Sequence, residues 1–252
     1  MSDAIYQNYI ANAFVDSEAL IEVHNPANGQ LLGRVPQASD AQVEQAIAAA
    51  RQAQKGWATR PAIERAGYLR KIASKVRDNA ERLARIITAE QGKVLGLALV
   101  EVNFTADYLD YMAEWARRLE GEVLTSDRAG ESIFLLRKPL GVVAGILPWN
   151  FPFFLIARKM APALLTGNTI VIKPSEETPN NCFEFAKLEV SRGGRADQAA
   201  QRQQQIRGLD KARRFASHHS LSSLLSSENL MANVLISCRA VSSALFSSAD
   251  IQ

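Results

Sequence analysis

The feature that most constrains this chain is an uncharged stretch that runs from Pro139 to Ala157. Its length would allow a helix to cross a membrane. However, Pro148, Asn150 and Pro152 interrupt its middle, and each proline removes a backbone donor and restricts the preceding residue to extended geometry. We therefore interpret the stretch as a buried strand, a rigid turn and the start of a helix, and we expect no contact with a membrane.

The residues that follow complete a strand–helix–strand unit. The predicted strand covers Gly141–Leu147, and the predicted helix covers Phe153–Thr166 and ends at Gly167. The short apolar run Asn168–Lys173 contains β-branched residues, as in strands that are covered on both faces. A further helix is predicted from Asn180 to about Val190. The sequence therefore predicts an α/β fold with a parallel sheet.

Polar groups follow both predicted strands at their carboxyl ends, where open α/β sheets bind ligands. Pro148, Trp149 and Asn150 follow the first strand, whereas Lys173 and Glu176 end and follow the second. A carboxylate at this position can hold ribose hydroxyls, and it would repel a 2′-phosphate. Taken singly, a lysine or a glutamate at a strand end is more often simply solvated than part of a binding site. The chain contains neither a G-x-G-x-x-G fingerprint nor a Walker A loop.

Short strands and then helices are predicted before this unit. Residues 8–36 alternate apolar and polar positions between turn formers, which predicts short surface strands. A capping box at Ser39 and Gln42 begins the first helix, and Pro61 suits the first position of the second. The third helix is predicted to end at Gly92 in a left-handed cap. These helices form an N-terminal helical layer.

A long helix and a hairpin connect this layer to the strand–helix–strand unit. The helix is predicted over about Val94–Glu120, with Gly121 closing it. We interpret its aromatic stripe as helix–helix packing rather than a cofactor site. A β-hairpin is predicted over about residues 121–138, with the strands Glu122–Thr125 and Ser132–Leu136 on either side of a polar turn.

Composition limits the classes of partner. The chain is 47% hydrophobic and 22% charged, as in ordinary globular proteins. Of its +3 net charge, residues 1–190 contribute −1, because eight basic and four acidic residues follow Val190. This distribution gives no folded basic face, so nucleic-acid binding is not predicted. Two cysteines without a disulfide framework and a polar N-terminus without a secretion signal predict a cytoplasmic location.

Several motifs together resemble the N-terminal half of the aldehyde dehydrogenase superfamily. The bacterial lactaldehyde and glycolaldehyde dehydrogenases are the members that the sequence looks most like. The resemblance covers about residues 8 to 189, and the PWN and KPSE motifs are its most specific signals. The segments that carry it are NPANG, AEQGK, FTADYLDYMAEWARRLEGE, ILPWNFPFF and KMAPALLTGNTIVIKPSE.

The resemblance implies roles for individual residues. Asn150 looks like the asparagine whose side-chain amide donates to the oxyanion of the thiohemiacetal, a contact worth a few kcal/mol in acyl chemistry. Lys173 and Glu176 look like contacts to the adenosine ribose, and Glu176 implies NAD rather than NADP. The remaining cofactor contacts implied are Ile146, Leu147, Pro148 and Trp149. The implied fold is a partial Rossmann-like NAD-binding domain over residues 1–190, whose hairpin serves oligomerisation.

The sequence also departs from the family. The glycine-rich nucleotide segment, the general-base glutamate, the catalytic thiol and the cofactor-ribose glutamate belong after Glu189, and none is found there. Neither Cys182 nor Cys238 has the context of the nucleophile. We therefore expect a truncated NAD-dependent aldehyde dehydrogenase without activity. Two alternatives remain: a module that binds NAD or joins full-length subunits through the hairpin, and an enzyme whose chemistry uses other residues.

The resemblance stops abruptly after Val190, inside a predicted helix. Residues 191–252 contain no proline, tyrosine or tryptophan and favour arginine over lysine. We hypothesise that this tail is a frame-shift product with poor order; an apolar pattern over Leu230, Val234, Val241 and Leu245 fits a helix face or chance equally well. His218-His219 lacks further ligands, so no metal is predicted. A sheet of only two strands would leave an exposed edge, which predicts poor solubility and weak affinity for NAD.

Overall fold

The chain begins with short strands, continues with four helices and a hairpin, and then alternates strand and helix, which gives the predicted α/β fold class. The structure is a computed structural model, and it describes residues 4–190 and 234–236. The helices are α1 (Asp40–Ala58), α2 (Ala62–Asp78), α3 (Ala80–Gln91), α4 (Leu95–Glu114), α5 (Phe154–Leu165) and α6 (Asn180–Val190). The strands are β1 (Ala4–Ile5), β2 (Asn8–Ile10), β3 (Ala13–Val15), β4 (Ala19–His24), β5 (Leu31–Gln37), β6 (Glu122–Thr125), β7 (Ser132–Leu135), β8 (Val142–Ile146), β9 (Thr169–Lys173) and β10 (Val234–Ile236).

The strand–helix–strand unit is confirmed. β8 and β9 pair in parallel, with Val142 opposite Thr169 and Ile146 opposite Lys173, and α5 is the crossover between them. Strand β9 is largely buried, as its apolar β-branched composition predicted. The carboxyl ends of the two strands therefore lie side by side.

The prediction of a two-stranded sheet is wrong. The sheet has five strands in the order β3-β2-β10-β9-β8, with β10 parallel to β9 and antiparallel to β2. Val234, one of the four residues of the apolar pattern that follows Val190, lies in strand β10, whereas Leu230, Val241 and Leu245 lie outside the described residues. β10 pairs with strands that lie far away along the chain, so its own residues carry no local sequence signal for this strand. β9 is consequently an inner strand that pairs with β10 on its other side, whereas β8 remains an edge strand of the sheet.

The N-terminal strands only partly match the predicted surface strands. β4 and β5 pair outside the main sheet; β4 is mostly exposed, whereas β5 is mostly buried or half-buried. All three residues of β2 are buried, because this strand lies within the main sheet. A short strand flanked by turn formers has the same sequence pattern at the surface and within the main sheet, so the sequence could not distinguish these two positions.

Local signals located the helical layer closely. The capping box at Ser39 and Gln42 is present, and Gly92 adopts a left-handed φ of 75° after α3. Pro61 is the N-cap of α2 rather than its first helical residue, a shift of one position. α2 buries Leu69, with Ile72 and Val76, completely in the core that the layer shares with the sheet.

α4 is shorter than predicted, and the hairpin is confirmed. The helix ends at Glu114 and continues as one 3₁₀ turn over Trp115–Arg117, so Gly121 lies beyond it. Part of the aromatic stripe packs against α5, since Phe104 and Tyr108 have ring centroids 4.7 and 5.4 Å from that of Phe154. In the hairpin, every residue of β6 and β7 is exposed.

The helical layer also supports the far end of the crossover helix. Trp57 donates its indole N–H to the carbonyl of Leu164 at 2.9 Å, and Arg65 donates Nε–H to the carbonyl of Leu165 at 2.8 Å. The last carbonyls of a helix have no partner within the helix. These two side chains therefore satisfy the C-terminus of α5 and fix its position against α1 and α2.

Candidate active site

Two short segments converge where β8 and β9 end. The register places Ile146 opposite Lys173, and the backbone N–H of Leu147 donates to the Lys173 carbonyl at 2.9 Å. The ladder therefore continues one residue past β8. The PWN turn leaves the sheet beside the segment that carries Glu176, as the sequence predicted for the carboxyl ends of parallel strands.

The PWN turn presents its side chains to solvent. Trp149 is 58% exposed, Pro148 and Asn150 are exposed, and Ile146 lies on the same open end of the strand. Within residues 4–190 and 234–236 the Asn150 amide has no hydrogen-bond partner, so its N–H groups are available to a ligand. Leu147 differs from its neighbours: its side chain is buried in the core, which leaves only its backbone to face a ligand.

Lys173 and Glu176 form an ion pair beside the turn. Lys173 Nζ lies 2.6 Å from Glu176 Oε1, and the lysine is the more buried partner. Partial burial raises the pKa of Glu176, but the hydrogen bond and charge of Lys173 outweigh it and leave this pKa below its usual value. Glu176 is therefore an ionised acceptor at neutral pH, oriented by the lysine.

A buried glutamate of α4 caps the helix that follows the PWN turn. Glu101 Oε1 accepts from the backbone N–H groups of Phe153 and Phe154 at 2.9 and 3.1 Å. Its other oxygen pairs with Lys93, and its side chain is inaccessible to solvent. The first N–H groups of a helix lack partners within the helix and attract negative charge. Glu101 supplies both the acceptor and the charge at the N-terminus of α5.

A second buried glutamate, Glu90, caps the N-terminus of α6. Glu90, at the end of α3, accepts from the backbone N–H groups of Asn180 and Asn181 at 2.7 and 3.0 Å, and from the side-chain amide of Asn181. Burial raises the pKa of Glu90 to about 7, against the opposing effect of these donors, and the nearby charge of Glu101 adds to the increase. α6 therefore starts from a carboxyl group that titrates near neutral pH.

The sequence did not predict that Glu90 and Glu101 cap the helices next to the site. Ala89–Lys93 contributed to the resemblance, but no role was assigned to any residue in it. The available signal was helical spacing, because Glu90 follows Leu83 and Ile87 on the apolar face of α3, and Glu101 lies between Ala98 and Val102 on α4. A charged residue at a core position is uncommon and requires a partner.

Comparison with known proteins identifies the family. The aldehyde dehydrogenase family matches residues 14–193, which is most of the chain. The chain belongs to the aldehyde dehydrogenase family. This family oxidises aldehydes with NAD or NADP, so the predicted resemblance is confirmed.

Individual relatives show how much of a family member is present. The lactaldehyde dehydrogenase of Escherichia coli K12 is 58% identical over 182 residues, which are 71% of this chain and 38% of that protein. The 3,6-anhydro-alpha-L-galactose dehydrogenase of Vibrio sp. EJY3 is 40% identical over 73% of this chain and 38% of its own length. The chain thus spans about two fifths of the curated relatives it matches.

Solved structures agree with the sequence comparison. The crystal structure of lactaldehyde dehydrogenase from Escherichia coli superposes with a TM-score of 0.72 at 56% identity, over 74% of this chain and 39% of that one. A structure of PnpE in complex with nicotinamide adenine dinucleotide gives a TM-score of 0.74 at 32% identity, over 93% and 42%. The 3,6-anhydro-L-galactose dehydrogenase structure contains NAP instead. The neighbours therefore do not select between NAD and NADP.

Other candidate sites can be placed within the described part of the chain. Cys182 is buried inside α6, and Cys238 lies outside the described residues. No group of three potential metal ligands occurs within residues 4–190 and 234–236. In the same residues, no helix combines the length and the hydropathy required to cross a bilayer.

Proposed function

We propose that this chain carries the oxyanion donor and the adenosine-ribose contacts of an NAD-dependent aldehyde dehydrogenase, without the groups for covalent chemistry. The observation that carries the proposal is the convergence of the Asn150 turn and the Lys173–Glu176 pair at the ends of two parallel strands in register. Asn150 would donate from its side-chain amide to an oxyanion. Ile146, Pro148 and Trp149 would offer an exposed apolar surface to the cofactor.

The arrangement suits a ribose with free hydroxyls. Glu176 is ionised and can accept from the 2′- and 3′-hydroxyls, while Lys173 holds the carboxylate in place. A 2′-phosphate in the same position would face this negative charge, and NAD is therefore the proposed cofactor. We expect weak affinity, because only the residues at the ends of β8 and β9 are assigned to the cofactor. Isothermal titration that gave micromolar binding of NAD would contradict the weak affinity.

The ribose contact is tested with a pair of adjacent glutamates. In saturation-transfer NMR with an excess of NAD, we expect transfer to the adenosine-ribose protons, and Glu176→Ala should abolish it. Glu177→Ala is the matched control, since Glu177 is the next residue and is exposed. Equal loss in both variants, or transfer that survives Glu176→Ala, would show that Glu176 does not bind the ribose.

The missing chemistry is tested by turnover. Oxidation of an aldehyde through a thiohemiacetal requires a thiolate and a base in addition to the oxyanion donor, and neither is assigned here. We expect no NADH production from lactaldehyde or glycolaldehyde, the substrates suggested by the resemblance and by the 58% identical relative. Production of NADH that disappears in Asn150→Ala would overturn the proposed inactivity and support an enzyme that uses other residues.

A second function is favoured by the exposed hairpin. Isolated two-stranded hairpins are marginally stable in water, yet both strands of β6–β7 lie open and expose large apolar side chains. These side chains are Val123, Leu124, Ile133, Phe134 and Leu135. The chain would then act as an oligomerisation module, joining a second copy or a full-length dehydrogenase subunit. Co-purification with a full-length aldehyde dehydrogenase tests this function, and its loss on changing the hairpin would assign the contact.

The proposal retains two further expectations from the sequence. The family match ends at residue 193, which supports a change of reading frame as the origin of the residues that follow. Resequencing that found one clean frame, preserved in an independent isolate, would reject this origin. A cytoplasmic location also remains part of the proposal, and fractionation of the native cells tests it.

A further inference from the structure

The junction between α3 and α4 contacts the PWN turn on both sides of Asn150. Gln91 donates from Nε2 to the carbonyl of Trp149 at 3.1 Å, which holds the residue before Asn150. Lys93 places Nζ 4.2 Å from the centroid of the Phe151 ring, which holds the residue after it. Asn150 itself is exposed between these two contacts. The backbone is therefore fixed around the asparagine while its side chain stays open.

The backbone at Phe151 needs such support. Its φ of 51° lies in the left-handed region, which costs an L-residue other than glycine about 1–2 kcal/mol. Such conformations persist only where the surroundings determine them. A cation over an aromatic ring contributes about 0.5–2 kcal/mol, depending on its desolvation, which is comparable with that cost. The Lys93 contact is thus large enough to decide which conformation the turn adopts.

Glu101 connects this contact to the helix that follows. One carboxylate oxygen accepts from the backbone of Phe153 and Phe154, and the other pairs with Lys93. Both Lys93 and Glu101 are largely shielded from water, and breaking such a pair by removing one partner is costly. The Lys93 ammonium over Phe151 and the first turn of α5 consequently both bind the buried carboxylate of Glu101.

We propose that Gln91, Lys93 and Glu101, here called the junction cluster, are positioning residues that aim the Asn150 amide by fixing the turn around it. The proposal rests on the proposed function only for the role of the Asn150 amide as an oxyanion donor. The conformation of the turn is a separate property and can be measured without NAD or an aldehyde. Failure of the oxyanion role would therefore leave the positioning role intact, and the reverse also holds.

The competing explanation is that the junction cluster only stabilises the fold. Loss of stability would follow from either explanation, so a melting temperature does not distinguish them. A local probe within the turn does, because positioning predicts a change confined to the turn. Trp149 is that probe, since it is exposed next to Asn150, and the chain has three tryptophans in all. Trp57 and Trp115 lie in α1 and after α4 and report on the rest of the molecule.

The experiment is 19F NMR of the full chain labelled with 5-fluorotryptophan, with resonances assigned by single Trp→Phe changes. In Lys93→Met we expect the Trp149 resonance to shift by more than its line width or to broaden, while the other two stay in place. Lys93→Arg should restore the original resonance, because it keeps a cation over the Phe151 ring. Gln91→Met should also move Trp149 alone, because it removes the shorter of the two hydrogen bonds to the Trp149 carbonyl, the other coming from the Thr178 hydroxyl.

Arg77→Met is the matched control, because it removes a cation of α2 that pairs with α4. Arg77 pairs with Asp107 and Asp110 of that helix at 2.8 and 2.7 Å, and its side chain is 42% exposed. We expect this variant to leave all three resonances unchanged. An unmoved Trp149 in Lys93→Met and Gln91→Met would overturn the proposal, as would equal movement of all three tryptophans. If the Lys93→Met variant unfolds, its three tryptophan resonances will move to the same unfolded position. The Gln91→Met variant, at a partly exposed residue, then tests the proposal by itself.

Discussion

The buried carboxyl group of Glu90 should make the stability of this chain depend on pH between about 5 and about 7. Its pKa is raised from 4.5 to about 7 in the folded state, chiefly by burial. Between those values the folded state holds a proton that the unfolded state has released, so stability falls as pH rises. A shift from 4.5 to about 7 corresponds to about 3 kcal/mol at about 1.4 kcal/mol per unit.

Glu90→Gln removes this dependence while preserving the shape of the group. The glutamine is neutral at every pH, and its oxygen can still accept from the backbone N–H groups of Asn180 and Asn181. The assay is urea unfolding followed by far-UV circular dichroism at several pH values from about 5 to about 8. The free energy of unfolding of the variant, relative to that of the parent, should rise by up to about 3 kcal/mol as the pH increases across that range. Most of this rise should occur below pH about 7.

Glu81→Gln controls for general effects of removing an acid from α3. Glu81 is 74% exposed and pairs with Arg85 at the surface, where such a pair contributes about 0–1 kcal/mol, so the variant should differ little from the parent in its free energy of unfolding. A flat difference for Glu90→Gln would show that the Glu90 pKa is not raised. A parent that becomes more stable than the variant as pH rises would show that the three N–H donors keep the carboxylate ionised.

Three further perturbations test separate parts of the fold. Leu69→Ala removes a fully buried side chain of α2 and should lower the free energy of unfolding by about 3 kcal/mol in urea titrations; a loss below about 1 kcal/mol would contradict this core position. Gly92→Ala should cost about 1–2 kcal/mol by the same measurement, because φ is 75° and a Cβ would lie 3.3 Å from Pro26 Cγ; an unchanged midpoint would argue against the left-handed cap. Phe134→Ser should reduce self-association in sedimentation velocity, with Arg128→Ser in the hairpin turn as control, since the phenylalanine is 68% exposed; equal association of both variants would exclude this face of the hairpin as the contact.

The sequence predicted elements whose signals are local. Ser39 and Gln42 lie three residues apart and form the capping box, and Gly92 ends its helix where only a residue tolerant of positive φ fits well. The predicted strand, turn and helix around Pro148 and Pro152 are also confirmed, because proline geometry acts on its nearest neighbours. In each case the residues that carry the signal are the residues that adopt the structure.

What the sequence did not reveal depends on distant partners. Val234–Ile236 becomes a strand through pairing with β9 and β2, which are far away along the chain. The burial of Glu90 and Glu101 could be suspected from spacing, but their partners lie 90 and 52 residues further on. Leu147 similarly looked like its neighbours Ile146 and Pro148, although alternation along the strand turns its side chain into the core.

The support of α5 from both ends has a consequence for how the chain folds. Trp57 and Arg65 reach its C-terminus across 107 and 100 residues, and Glu101 reaches its N-terminus across 52. All three supports precede the helix in the chain and are synthesised before it. During translation, α1, α2 and α4 can therefore assemble first and receive the later crossover as it leaves the ribosome. A chain that began at Gly141 would have to form the same parallel strand pair without this template, and we expect it to fold slowly and to aggregate.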